Sequence, residues 1–172
     1  MTKILIDNFF DDVDSIRNLA LSIPYNRSSN NTGWKGYRIA VKDHAIGNYI
    51  KNRLIEIDKK FENLIISELY FHYSLEDTKK EMKDFSKNRL HKDLTQLAGV
   101  IYLTPEPKEN SGTSLHFDNG EEEIFENVYN RFILYDGGIT HGAQDTFGDT
   151  INNARLTITI FASLDKNDKT LI

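Results

Sequence analysis

The sequence predicts an α+β fold whose core is a jelly roll, that is, a double-stranded β-helix. Helical periodicity of apolar residues is confined to the part before residue 65, and short runs of β-branched and aromatic residues dominate after it. Pro, Asn and Gly turn signals separate those runs. Because helices come first and many short strands follow, we expect the N-terminal helices to pack on one sheet of a single domain spanning residues 1–172.

The first half of the chain contains two predicted helices. In order, we expect a strand at residues 3–6, a helix from Asp11 or Asp12 to about Ser22, a polar loop at 26–36, a strand at 36–41 and a helix from about Ala45 to Leu64. An aspartate is a preferred N-cap, and Pro24 prevents the first helix from continuing. The second helix has an apolar face made of Ile46, Tyr49, Ile50, Leu54, Ile57 and Phe61.

The second half is predicted to be mostly strands. These lie at residues 68–75, 97–103, 113–117, 131–135 and 155–161. Side chains alternate along a strand, so in the last run Arg155, Thr157 and Thr159 should share one face and the intervening aliphatic residues the other. The Glu-rich segment 119–130 is compatible with a lid over a site or with a solvated loop.

The composition narrows the chemistry that the chain can carry. The sequence has no cysteine, which excludes disulfides, iron–sulfur clusters and thiol nucleophiles, so any metal must bind to His, Asp or Glu. The formal net charge of −5 disfavours nucleic acid as a partner. The N-terminal apolar run is too short for a signal peptide and no stretch is long enough to span a membrane, so we expect a cytoplasmic protein without membrane association.

The segment His91-Lys92-Asp93 indicates a metal site. In an extended strand, residues i and i+2 point to the same face, so the His91 imidazole and the Asp93 carboxylate would converge. One distant histidine would complete a set of two histidines and one carboxylate. Such a set leaves about three of six octahedral positions open, which suits non-haem Fe(II) that activates O₂.

Further motifs follow this segment in a fixed order. They are Ile101-Tyr-Leu-Thr104, Ser111-Gly-Thr113, Asn130-Arg-Phe132, His141 and Arg155-Leu-Thr157. This order, over residues 88–162, resembles the 2-oxoglutarate/Fe(II)-dependent dioxygenase superfamily, in particular its prolyl-hydroxylase-like members. Ser111 replaces the first Gly of a common pair and Thr104 stands where Asn is common, so the subfamily is left open.

The resemblance implies an activity, a cofactor and a set of site residues. The implied Fe(II) ligands are His91, Asp93 and His141. Arg155 would pair with the distal carboxylate of the cosubstrate 2-oxoglutarate, and Thr157 and Tyr102 would contact it as well. The implied reaction hydroxylates a peptidyl side chain or a small metabolite while 2-oxoglutarate is converted to succinate and CO₂, with ascorbate as a stimulant.

Other readings of these residues stay open. His116-Phe117-Asp118 is a second His-x-Asp segment, but the Gly-Thr motif precedes it rather than following it, so we prefer His91 and Asp93 and regard His116 as a candidate pocket wall. Tyr102 also fits a plain core tyrosine. His72 is expected to be a hydrogen-bonding strand residue, and Trp34 either lines a pocket or packs under a loop.

Two other functional classes are compatible with the same patterns. One is a cupin-like metal protein that does not use 2-oxoglutarate, and the other is a jelly-roll binding module without catalysis. Arg155 and Thr157 count against the first, because it needs no oxo-acid anchor, and the complete ligand set together with this anchor counts against the second. Phe161, six residues after Arg155, departs from the pattern of nucleic-acid demethylases, which carry a second Arg there. The substrate and the oligomeric state are left open.

Overall fold

The structure is a computed structural model that describes residues 2–29, 34–82 and 84–165. Its helices are α1 (Val13–Ser22), α2 (His44–Ile57) and α3 (Phe85–Asn88), with 3₁₀ helices at Lys59–Asn63 and Glu76–Glu81. Its strands are β1 (Lys3–Ile6), β2 (Asn26–Arg27), β3 (Tyr37–Ala40), β4 (Leu64–Ser74), β5 (Leu97–Tyr102), β6 (Thr113–His116), β7 (Glu122–Phe125), β8 (Phe132–Asp136), β9 (Thr140–Ala143) and β10 (Arg155–Leu164).

These strands form two antiparallel sheets. The larger sheet has the order β1-β8-β5-β10-β4-β3-β2, and the smaller has the order β7-β6-β9. Non-consecutive strands lie side by side, as a jelly roll requires. Aliphatic and aromatic side chains of β5, β6, β7 and β8 form one apolar cluster, so the two sheets pack face to face. The predicted jelly-roll core is confirmed.

The long strand β10 divides the interior into two regions. Leu156, Ile158 and Ile160 point into the larger core, which α1 and α2 cover on the outer face of the seven-stranded sheet. Arg155 and Thr159 line a cavity on the opposite face, where the smaller sheet lies. The predicted alternation along this strand and the predicted packing of the N-terminal helices on one sheet are both confirmed.

The second helix ends earlier than the sequence suggests. The prediction of a helix up to Leu64 was wrong, because the backbone at Asp58 turns extended (φ −151°) and its carboxylate accepts a hydrogen bond from the Lys60 amide. That aspartate ends α2 at Ile57 and caps a separate 3₁₀ helix. Phe61 still reaches the core, but from the 3₁₀ helix, and β4 starts at Leu64.

Three short strands were missed in the sequence. β2 pairs with β3 inside the predicted polar loop, whose residues 30–33 lie outside the described part. β7 lies within the Glu-rich segment 119–130, and β9 carries His141. The last two strands both pair with β6, so long-range hydrogen bonding determines them, whereas their own residues have little strand propensity. In the described part of the chain, no helix is long and apolar enough to cross a membrane.

The packing of α2 on the large sheet can be tested by two substitutions on the same helix. Ile50 is fully buried, so Ile50→Ala should lower the free energy of unfolding by about 2–5 kcal/mol. Ile57 has 53% of its surface exposed, and Ile57→Ala should change that free energy by no more than about 0.5 kcal/mol. Urea denaturation measures both. Equal losses in the two variants would contradict the packing described here.

Candidate metal centre

Backbone hydrogen bonds bring the His91 segment against β9. The His91 amide donates to the His141 carbonyl at 2.9 Å, and the His141 amide donates to the His91 carbonyl at 2.8 Å. Two residues later, the Asp93 amide donates to the Gly137 carbonyl, also at 2.8 Å. His91 and Asp93 are therefore fixed relative to His141 by the main chain, independently of any ligand.

Gly142 allows this close approach. A Cβ atom at this position would lie only 2.3 Å from the carbonyl oxygen of Arg89, which is far inside van der Waals contact. The chain that leads into His91 therefore crosses β9 directly over a residue without a side chain. The glycine next to His141 is a structural requirement of the site.

The three side chains of His91, Asp93 and His141 converge on one point. His141 Nε2 lies 3.2 Å from Asp93 Oδ2, and His91 Nε2 lies 3.6 Å from Asp93 Oδ1. One potential ligand atom from each residue lies within 4.8 Å of the other two. In the described part of the chain this is the only such group of three His, Asp or Glu side chains.

Hydrogen bonds at the Nδ1 atoms of His91 and His141 determine which ring nitrogen of each histidine can bind a metal. His141 Nδ1 lies 2.8 Å from the Ile139 carbonyl, and His91 Nδ1 lies 3.2 Å from the Arg89 carbonyl. A carbonyl oxygen only accepts, so both Nδ1 atoms carry a proton, and Nε2 is the ring nitrogen of each histidine that is left to bind a metal. Desolvation and the neighbouring His141 lower the pKa of His91, which favours its neutral form.

This donor set fits a divalent transition metal. When both imidazoles are neutral, two nitrogen lone pairs and a carboxylate face one point, an arrangement that a bound cation stabilises. With hard nitrogen and oxygen donors and no thiolate, the set suits Fe(II) or a similar ion and has the composition of the facial triad. The backbone carbonyls behind both imidazoles are the outer partners that usually orient metal-binding histidines.

A cavity of about 180 Å³ opens beside the three residues, and Arg155 lies in its wall. Only 5% of Arg155 is exposed. Its Nε donates to the Ser111 carbonyl at 2.8 Å, and its Nη2 lies 3.3 Å from both the Gly112 carbonyl and the Thr113 hydroxyl. No carboxylate of the described residues pairs with it. Burial lowers the pKa of Arg155, and because its hydrogen-bond partners are neutral, its charge is uncompensated within the described residues.

Solved oxygenase structures share this architecture. An oxidoreductase of the 2OG-Fe(II) oxygenase family from Burkholderia pseudomallei has a TM-score of 0.67 and 14% identity, over 94% of this chain and 85% of that one. A Pseudomonas putida prolyl-4-hydroxylase has a TM-score of 0.65 and 16% identity, over 93% and 91%. HygX from Streptomyces hygroscopicus, solved with nickel and 2-oxoglutarate bound, has a TM-score of 0.63 and 12% identity, over 95% of this chain and 82% of that one.

This chain has the fold of the 2-oxoglutarate–Fe(II) oxygenases. The fold-level expectation from the sequence motifs is therefore confirmed. No protein-family model and no curated protein matches the sequence, so the similarity to known proteins lies in the three-dimensional structure.

Within this oxygenase fold, Tyr102 and Thr157 lie behind Arg155. The Tyr102 hydroxyl is 2.7 Å from the Thr113 hydroxyl, and its ring lies under the guanidinium of Arg155 at 5.5 Å. The Thr157 hydroxyl donates to the His72 carbonyl at 3.2 Å. Both are fully buried, and neither is among the described residues that line the cavity. Their contact with a cosubstrate stays a prediction.

His116 is outside the cavity wall that the structure describes. Its Nε2 lies 3.0 Å from the Ser114 hydroxyl and 3.6 Å from Glu122, on β6 and β7. Among the described residues, the alternative pair of His116 and Asp118 is not part of a group of three His, Asp or Glu side chains whose ligand atoms converge.

Sequence reasoning missed three side chains of the cavity wall. Tyr135 packs edge-on against His141 with ring centroids 4.8 Å apart, and burial raises its pKa well above the usual value. His72 donates from Nε2 to the Lys35 carbonyl at 2.8 Å, and burial lowers its pKa to about 3, so it is neutral at physiological pH. Arg38 lies opposite His72 on β3. Alternation along β8 places Tyr135 on the inner face, but only the strand order brings His72 and Arg38 to the site.

The metal assignment predicts a clear contrast between two aspartates. Asp93→Ala removes the anionic ligand and should abolish measurable Fe(II) binding in anaerobic calorimetry. Asp118→Ala and His116→Ala should leave Fe(II) affinity nearly unchanged, because these residues lie outside the converging group. The opposite pattern would transfer the metal site to His116 and Asp118.

Proposed function

We propose that this chain is an Fe(II)- and 2-oxoglutarate-dependent dioxygenase that hydroxylates a small molecule or a peptidyl side chain and releases succinate and CO₂. The observation that carries the proposal is the buried Arg155, which has only neutral partners and lines the same cavity as His91, Asp93 and His141. The binding of nickel and 2-oxoglutarate by HygX, which shares the fold, supports it.

The charge on Arg155 is the reason for choosing an oxo-acid cosubstrate. A guanidinium in a low-dielectric site is costly unless an anion compensates it. Backbone carbonyls and a hydroxyl satisfy part of its five donors, but they carry no net charge. The distal carboxylate of 2-oxoglutarate would supply the missing anion in the bidentate geometry that a guanidinium favours.

The remaining residues divide the work of the site. His91, Asp93 and His141 would hold Fe(II), and bound Fe(II) with 2-oxoglutarate would supply the O₂-dependent oxidation that hydroxylates the substrate. Arg155 would orient the oxo acid. Ala98, Val100 and Tyr135 give this part of the cavity an apolar wall that excludes water from the reacting groups.

The proposal is tested by adding Fe(II) and 2-oxoglutarate under anaerobic conditions. We expect a visible metal-to-ligand charge-transfer band, and slow formation of succinate once O₂ and ascorbate are added without substrate. A protein that binds Fe(II) but produces neither signal would instead be a cupin-like metal protein. A protein that binds no metal would be a binding module.

Arg155 separates an oxoglutarate enzyme from other proteins with the same metal ligands. Arg155→Ala should weaken 2-oxoglutarate binding by about a hundredfold or more, because removing one partner of a buried charge pair costs about 3–5 kcal/mol. Fe(II) affinity should stay nearly unchanged. Arg155→Lys should recover only part of the loss, since an ammonium cannot form the two parallel hydrogen bonds that a guanidinium donates to a carboxylate.

Two anaerobic titrations that follow the charge-transfer band measure both affinities. In one, 2-oxoglutarate is added at fixed Fe(II), and in the other, Fe(II) is added at fixed 2-oxoglutarate. Equal loss of Fe(II) and 2-oxoglutarate binding would make Arg155 a structural residue. Unchanged 2-oxoglutarate affinity would remove the main support for the proposed cosubstrate.

A further inference from the structure

The cavity is basic although the chain as a whole is acidic. Its lining includes the basic side chains of Lys35, Arg38, Arg89 and Arg155, and Asp93 is its one acidic side chain among the described residues. The whole chain has a net charge of −5. The charges of Fe(II) and 2-oxoglutarate would cancel each other, so the loaded cavity would stay positive. A positive cleft in an acidic protein favours anionic ligands.

Arg38 is the basic side chain of this cavity whose hydrogen-bond donors are least used by neighbouring residues. Its guanidinium carbon lies 4.9 Å from the ring centroids of both Trp34 and Tyr70 and 5.9 Å from that of Phe161. Its Nε is buried without a hydrogen-bond partner. In the part of the chain that the structure describes, no carboxylate pairs with Arg38, although Glu68 and Asp93 lie near enough to raise its pKa against the larger effect of burial.

The other basic residues of the cavity already donate hydrogen bonds to protein groups. Arg155 is bonded to the backbone around Ser111 and would hold the cosubstrate. Arg89 donates to the Ser114 hydroxyl at 2.9 Å and to the Ala143 carbonyl at 3.1 Å. Lys35 donates to the Ser29 carbonyl at 3.0 Å. Among the described residues, Arg38 is the member of this group whose guanidinium has aromatic contacts but no hydrogen bond, so the rings fix its position and leave its donors for a ligand.

Two further unsatisfied polar atoms line the same cavity. The hydroxyls of Thr146 and Thr159 are buried and have no hydrogen-bond partner. Thr159 pairs in register with Tyr70, the residue whose ring carries the Arg38 guanidinium. Buried polar groups are nearly always paired in proteins, so their grouping around one cavity indicates a polar ligand there.

The position of Arg38 relates it to the metal centre. Its strand neighbour is His72, which lines the cavity as well. A ligand paired with Arg38 would therefore lie in the same cavity as the reacting centre, and on a different residue from the one proposed to hold 2-oxoglutarate.

We propose that the substrate of this site is a small organic anion whose carboxylate or phosphate group pairs with Arg38, which makes Arg38 the specificity-determining residue. The inference rests on the proposed function and extends it to the class of substrate. A neutral peptide side chain or a neutral metabolite would leave the Arg38 charge uncompensated.

Trp34 is the only tryptophan of the chain, so its fluorescence reports directly on the Arg38 site. The protein is first saturated with Mn(II) and 2-oxoglutarate and is then titrated with two panels. One contains the N-acetylated amino acids and their primary amides, and the other contains sugar phosphates and the free sugars. We expect saturable changes with at least one anion and none with its neutral counterpart, and the responding panel distinguishes a carboxylate from a phosphate substrate.

Three variants complete the test. Arg38→Met should weaken the anion response by about tenfold or more, and Arg38→Lys should restore part of it. Arg53→Met removes the same charge from the surface of α2, where Arg53 pairs with Glu56, and should respond like the unmodified protein. The affinity of Arg38→Met for 2-oxoglutarate, followed by the charge-transfer band with Fe(II), should be unchanged.

The outcomes separate this inference from the proposed function. Absence of any anion response, or an equal response in Arg38→Met and Arg53→Met, overturns it. Loss of 2-oxoglutarate binding in Arg38→Met also overturns it, because Arg38 would then belong to the cosubstrate site. If the unmodified protein shows the anion response but no charge-transfer band, the proposed function fails while the anion site at Arg38 is supported.

Discussion

The reciprocal backbone hydrogen bonds between His91 and His141 are the contact on which the candidate site depends. They join a segment without regular structure to β9, a four-residue strand that also pairs with β6. Gly142 makes the contact possible by removing the side chain that would block it. Because the main chain positions the imidazoles, the converging lone pairs do not need a metal to assemble them, which is the preorganisation that a functional site requires.

Strand β10 connects the stability of the fold with the chemistry of the cavity. Its aliphatic residues pack under the helices, and Arg155 and Thr159 line the cavity on the other face. The same burial that stabilises the sheet keeps Arg155 away from water, so its charge is unfavourable unless an anion pairs with it. A cosubstrate anion at Arg155 would therefore be stabilised by the whole packed sheet, whereas an exposed arginine would gain little from the same contact.

Electrostatics divide the molecule into an acidic exterior and a basic interior cavity. Many of the acidic side chains lie on the surface, for example in exposed ion pairs such as Lys3 with Glu123, and contribute little to stability. In the cavity, Arg38 and Arg155 are surrounded by aromatic rings and carbonyls, and their charges act over a lower dielectric. A basic cavity of this kind favours anionic ligands.

The sequence by itself determined the jelly-roll class and the alternation along β10, because these follow from local periodicity. It also pointed to His141 and Arg155, since their order along the chain resembles a known pattern. Only the tertiary structure decided where α2 ends, because the Asp58 carboxylate competes for backbone amides. Only the strand order β10-β4-β3 brings His72 and Arg38 to the cavity, since residues far apart in sequence become neighbours through long-range pairing that no local pattern records.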